Sequence, residues 1–157
     1  MAGASIAQLE ANGVVTVIGT VVNPAGLTHV KAVPIRRAMA FAEPGLGASP
    51  VWHAFAIDQA GIAFSDDIGV VGDERIRIDL NALHGIGDGL AWAPGAFFDQ
   101  SGDEIPACSR GTLTRVAARL ADAGLDALVG HEIEFVLVAP DGGLRQRASA
   151  EVDSARE

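Results

Sequence analysis

Two glutamates stand one residue apart in the stretch "ALVGHEIEFVLVAP": Glu132 and Glu134, inside an otherwise apolar run. The run is dense in Val, Ile, Leu and Phe and predicts a strand over 125–138. Side chains alternate along a strand, so Glu132, Glu134, Val136 and Val138 share one face, with Ile133, Phe135 and Leu137 on the other. The two carboxylates then project side by side from backbone positions about 7 Å apart. Like charges at that spacing in a partly buried site repel, and either a proton or a cation relieves them. Hard ions such as Mg²⁺ or Mn²⁺ take oxygen ligands and would serve. Neighbouring carboxylates that each face a different ion give a two-metal arrangement, useful in phosphoryl transfer. On spacing alone, the bland meaning of E-x-E is commoner: the solvated face of an amphipathic strand.

Other reactive side chains offer less. Cys108 is the single cysteine, which excludes an internal disulfide framework and a cysteine-rich zinc site. No lysine or histidine lies near it in sequence, so it reads as a packed or half-exposed bystander. His131 falls on the face opposite Glu132 and reads as a structural or surface residue. His29, His53 and His84 show no H-x-x-x-H or H-E-x-x-H spacing and read as ordinary polar positions. "GLGASP" and "GIGDGL" precede no helix opening with Lys-Ser/Thr, so both read as plain loops. Arg36 and Arg37 suit a solvated helix face. Trp52 and Trp92 read as core or interface aromatics.

The chain has 157 residues, nearly half of them apolar and about a fifth charged, a globular composition. Its formal charge of −9, with eleven Lys and Arg, argues against a nucleic-acid partner. No apolar run approaches the ~20 residues of a membrane span. The opening "MAGASIAQLEANG" lacks the basic and apolar regions of a secretory signal, so the cytoplasm is the expected location.

The elements that must carry these residues follow from local pattern. Residues 4–12 predict a short helix stopped at Gly13. "VVTVIGTVV" and "LTHVKAVP" predict two strands joined by a type I turn at "NPAG". "IRRAMAFAE" predicts a short helix and "PGLGASP" a loop. "VWHAFAID" predicts a strand, followed by a long Gly- and Asp-rich connection. "RIRIDL" predicts a strand burying Ile76 and Ile78, and "LAWAPGAFFD" with "EIPA" a hairpin about "QSGD". Ser109 is the expected N-cap of a helix that buries Leu113, Val116, Ala117 and Leu120 and ends at Gly124. The tail beyond 140 loses hydrophobic patterning and is expected to be disordered.

Taken together, "VVNPAGLTHVKAVP", "FAID", "LAWAPG", "CSRGTL" and "GHEIEF" occur in an order that resembles the glutamine synthetase family. "CSRGTL" is similar to D-P-R-x-x-L and "GHEIEF" to G-P-E-x-E-F. The resemblance implies an α+β chain: a β-grasp-like N-terminal domain over 1–106, then the first helix and strand of a catalytic domain over 107–140, with a tail over 141–157. It implies an ATP-dependent ligase that activates the side-chain carboxylate of glutamate as an acyl phosphate, for attack by ammonia or another amine. It makes Glu132 and Glu134 ligands of two Mg²⁺ or Mn²⁺ ions. Asp58 falls near the aspartate that reaches a neighbouring subunit's site and helps bind ammonium, so a homo-oligomer is implied.

Departures from the family pattern are His131 for proline, Asn23 for a frequent aspartate, "THVK" for R-G-K with Lys31 kept, and "CSR" for D-P-R. They leave a polyamine or another small amine open as the acceptor. The resemblance covers about the first third of a family member, with the main ATP contacts beyond it. The chain alone is therefore expected to be inactive. The alternative is a non-catalytic β-grasp module that associates with full-length relatives.

Overall fold

The computed structural model describes residues 4–58 and 71–143. They divide into two compact units, Met1–Asp126 and Ala127–Glu157. The expected disorder of the tail from residue 144 onward, and most of the Gly- and Asp-rich connection after Asp58, lie outside the described residues.

The first unit is α+β. Helix α1 (Ile6–Ala11) is opened by Ser5, whose hydroxyl accepts from the Gln8 amide while the Gln8 side chain accepts from the Ser5 amide. Strands β1 (Thr16–Val22) and β2 (Thr28–Pro34) form an antiparallel hairpin. Its turn closes with the Gly26 amide donating to the Asn23 carbonyl, as the "NPAG" signature predicts. A 3₁₀ turn over Ile35–Arg37 leads into α2 (Ala38–Ala42), the expected short helix.

Strands β3 (Leu46–Ala48), β4 (Glu74–Ile78), β5 (His84–Gly87) and β6 (Leu90–Phe98) complete the sheet. Its order is β2-β1-β6-β4-β3, with β5 on β6. The β1–β6 pair is parallel and its neighbours are antiparallel. A hairpin, a crossing helix, and a late strand inserted beside the first make a β-grasp-like arrangement.

Alternation puts Val17, Val21, Ile76, Ile78, Ala91, Ala93 and Phe97 on one buried face, against Phe41 of α2. Gly19 lets helix and sheet meet. A Cβ there would strike the Phe41 ring and sit 2.5 Å from Ile78 Cγ2.

Four expectations change. "VWHAFAID" begins as a 3₁₀ turn over Pro50–His53, because Ser49 Oγ accepts from the Val51 amide and Pro50 occupies the first helical position. "PGLGASP" contains β3, which finds a partner in β4. "GIGDGL" holds most of β5 and the turn into β6, with Asp88 and Gly89 at φ 50° and 72°, the Asp-Gly signature of a two-residue hairpin turn. "EIPA" supplies a single bridge, Phe98 to Glu104, instead of a strand.

Helix α3 (Ser109–Asp122) starts one residue earlier than a Ser109 cap requires: Cys108 is the cap, its Sγ accepting from the Gly111 amide. Its expected apolar face, Leu113, Val116 and Ala117, is exposed. Gly124 ends it at φ 70°, as expected. No helix among the described residues is long and apolar enough to cross a membrane.

Candidate functional site

Asp58 lies at the end of the segment that follows the Pro50–His53 turn, in an exposed turn position. What fixes the segment is a set of side chains at one end of the β1–β2 hairpin. Asn23 is 1 % exposed and uses its whole amide. Its Nδ2 donates to the carbonyls of Trp52 at 3.0 Å and Phe55 at 2.9 Å. Its Oδ1 accepts from the amides of Ala25 at 3.0 Å and Leu27 at 2.9 Å. One residue thus shapes the turn and clamps the segment ahead of Asp58.

Aromatic stacking adds to the clamp. The His29 ring stacks on Trp52 at 4.7 Å, and Trp52 meets Phe97 edge-on at 6.5 Å. Lys31 Nζ lies 5.4 Å from the Trp52 ring centroid, within cation–π range. His53 is buried against Phe97, ring centroids 4.2 Å apart, and its Nε2 pairs with Glu74 Oε2 at 2.8 Å. Burial lowers the His29 pKa below the usual histidine value; nearby His53 lowers it further, and a hydrogen bond with the Trp52 backbone works in the opposite direction.

Glu132 and Glu134 lie in the second unit. Residues 125–137 carry no regular secondary structure, and both carboxylates are exposed. The expected strand has a physical requirement that the chain does not meet there: a strand exists by pairing its amides with a neighbour. Its apolar residues are correspondingly bare, Ile133 82 % and Phe135 74 % exposed. His131 is a surface residue, as expected.

The chemistry of this pair suits a hard divalent cation, but its number does not. Mg²⁺ takes six oxygens, and among the described residues no group of three or more His, Cys, Asp or Glu side chains comes together. The described residues therefore do not complete a metal centre.

A cleft of about 340 Å³ opens beside the start of α3. Arg77, Arg110, Asp79 and Glu104 line it; Arg110 pairs with Asp79 at 3.5 Å, and Arg115 with Glu104 at 3.0 Å.

The sequence singles out Asp58, Glu132 and Glu134 as candidates and gives no sign of the clamp. Asn23, His29, His53 and Glu74 meet only through the fold, and no local spacing announces them. The departure at Asn23 was visible, without its partners.

The sheet with its crossing helix is the fold of glutamine synthetase-type proteins. A GmaS–ADP complex superposes with a TM-score of 0.59 at 19% identity, over 75% of this chain and 25% of that one. Glutamine synthetase from Plasmodium falciparum gives 0.57 at 16% identity, over 79% and 24%. In sequence the chain is 36% identical over 140 residues to gamma-glutamylpolyamine synthetase GlnA3 of Streptomyces coelicolor, covering 87% of this chain and 30% of that protein. No protein-family model matches. By sequence and by fold this chain belongs with the glutamine synthetases. It spans about a third of the length of the relative it matches.

Proposed function

We propose that this chain is the N-terminal part of a glutamine synthetase-like carboxylate–amine ligase, joining an amine to the side-chain carboxylate of glutamate at the expense of ATP through an acyl phosphate. The observation that carries the reading is the 36% identity to a gamma-glutamylpolyamine synthetase, which favours a polyamine over ammonia as acceptor. Residues 1–106 form the β-grasp-like domain, residues 107–140 open the catalytic domain, and 141–157 are its tail. Glu132 and Glu134 contribute carboxylates to a Mg²⁺ or Mn²⁺ ligand set that the rest of the enzyme completes. Asp58 serves the amine side of the site in a homo-oligomer whose active sites form between subunits, in the cytoplasm.

Polypeptide 1–157 alone is expected to turn over at background, since two carboxylates are too few to hold two ions and ATP. The test is a chimera in which residues 1–138 replace the aligned residues of the Streptomyces relative. Phosphate release with glutamate, Mg²⁺ and a polyamine is expected. In that chimera Glu132→Ala or Glu134→Ala should cost at least about 10²-fold in kcat, the scale of losing a charge-stabilising group. An active chimera indifferent to both substitutions contradicts the assignment.

A second reading is a non-catalytic module that docks on fuller-length relatives. The exposure of Leu113, Leu128, Ile133 and Phe135 favours it. Size-exclusion chromatography with such a relative separates the two readings: co-elution with no gain in turnover supports the module.

A further inference from the structure

Two buried ring nitrogens at one end of the β1–β2 hairpin have no hydrogen-bond partner: Nε2 of His29 and Nδ1 of His53. His53 directs its other nitrogen, Nε2, to Glu74 Oε2 at 2.8 Å. A neutral imidazole carries one proton and one bare nitrogen, and the buried, unpartnered Nε2 of His29 suits the bare one. Adding a proton to His29 would create both a charge and a buried N–H without an acceptor, the costly kind of polar group.

Both rings grip the same segment. His29 stacks on Trp52 and lies 6.0 Å from the Phe55 ring, while His53 belongs to the Pro50–His53 turn itself. Glu74 on β4 and Lys31 on β2 are charged groups beside the pair. β1 and β6 present Val21, paired with His29, and Phe97. Lys31 is a cation and opposes a second positive charge nearby. Glu74 is already engaged by His53.

We propose that His29 and His53 form an acid-sensitive latch, which holds the segment Pro50–Asp58 on the sheet while the His29 ring is neutral and releases it when His29 takes a proton. The lowered pKa of His29 agrees in sign, since burial and His53 both disfavour its charged form. The latch is independent of the ligase reading, because it concerns the conformation of the segment and not what Asp58 binds.

Hydrogen exchange of polypeptide 1–157, corrected for the intrinsic pH dependence, tests it between pH 7.5 and 5.0. Protection of peptides spanning 50–58 should fall several-fold as pH drops below about 6.5, the unperturbed histidine value, while peptides from β1 and β6 keep theirs. His29→Gln should flatten the profile, and His84→Gln, at an exposed strand position, should leave it unchanged. A flat wild-type profile, simultaneous loss across the sheet, or a His29→Gln profile like wild type overturns the latch. Should His29→Gln fail to fold, the His29 ring-proton titration by NMR decides: a midpoint below 6.5 supports the latch, and one at or above 6.5 overturns it.

Discussion

Asn23 Nδ2 donates to the carbonyl of Phe55 at 2.9 Å, joining a hairpin turn to the segment that carries Asp58. With its second donation, to Trp52, and two acceptances at Oδ1, the amide is fully satisfied in a site with almost no water access. A carboxylate of the same shape cannot donate. Asn23→Asp would set an oxygen against two carbonyl oxygens and bury a charge, costing about 2–4 kcal/mol by urea denaturation at pH 7. Asn23→Ala should cost less, about 1–3 kcal/mol. The gap between them should narrow at acid pH as the aspartate protonates, and a wider gap would show that charge is not its source.

Gly19 and Phe41 meet where α2 crosses the sheet. A methyl group at residue 19 needs the space of the Phe41 ring and of Ile78 Cγ2, both in the closed core. Gly19→Ala should therefore destabilise by about 1–3 kcal/mol, the range for overpacking. Thermal unfolding reads it as a lowered Tm. Gly13→Ala is the control: it meets no atom within 4 Å but sits at φ 83°, so its cost is backbone strain alone.

These two residues show where sequence reading stops. The β1–β2 hairpin was legible because β-branched density and "NPAG" are local signals. Glu132 and Glu134 were legible as residue types at strand spacing, yet the strand itself needs a neighbour that local pattern cannot supply. Residues 51–58 are apolar enough to suit a strand, but Ser49 with Pro50 starts a 3₁₀ turn there instead. The Asp88–Gly89 turn carries its own local signal, the Asp-Gly pair between two strands. The Asn23 clamp was beyond local reading altogether, since its partners are 29 and 32 residues away.

His29 couples stability to pH. Its folded pKa lies below the unfolded value, chiefly through burial, so the unfolded chain binds the proton more readily. The stabilising contribution is whole above about pH 6.5, and is lost progressively as pH falls through the folded pKa. The urea midpoint should therefore drop from pH 7.5 to 5.0, and His29→Gln should reduce that drop. An equal drop in the variant would assign the effect to other groups.

Cys108 Sγ accepts from the Gly111 amide at 3.4 Å and from the Phe97 amide at 3.3 Å, joining α3 to β6. Cys108→Ala strands both donors, one of them on a buried strand residue, and should cost about 1–2 kcal/mol. Cys108→Ser keeps an acceptor and should lose less. Because the thiol is 2 % exposed, its reaction with a disulfide reagent should run far more slowly in native buffer than in urea. Fast labelling of the native chain would contradict the burial.

Ile133 and Phe135 would lie inside a core if their segment were paired, and instead face solvent over residues that form no strand. A protease requires about this: an extended, accessible backbone that is free of ladder hydrogen bonds. Chymotrypsin should cut polypeptide 1–157 at Phe135 well before Phe41 or Phe97, both fully buried. The fragment left should keep a cooperative unfolding transition, because Met1–Asp126 holds the sheet, α2 and α3 in one compact unit. Equal cutting rates at Phe135 and Phe97 would mean that the sheet is no firmer than the segment after it. In the chimera that supplies the rest of a ligase, protection of Phe135 should rise in step with ATP turnover, linking pairing of that segment to the presentation of Glu132 and Glu134.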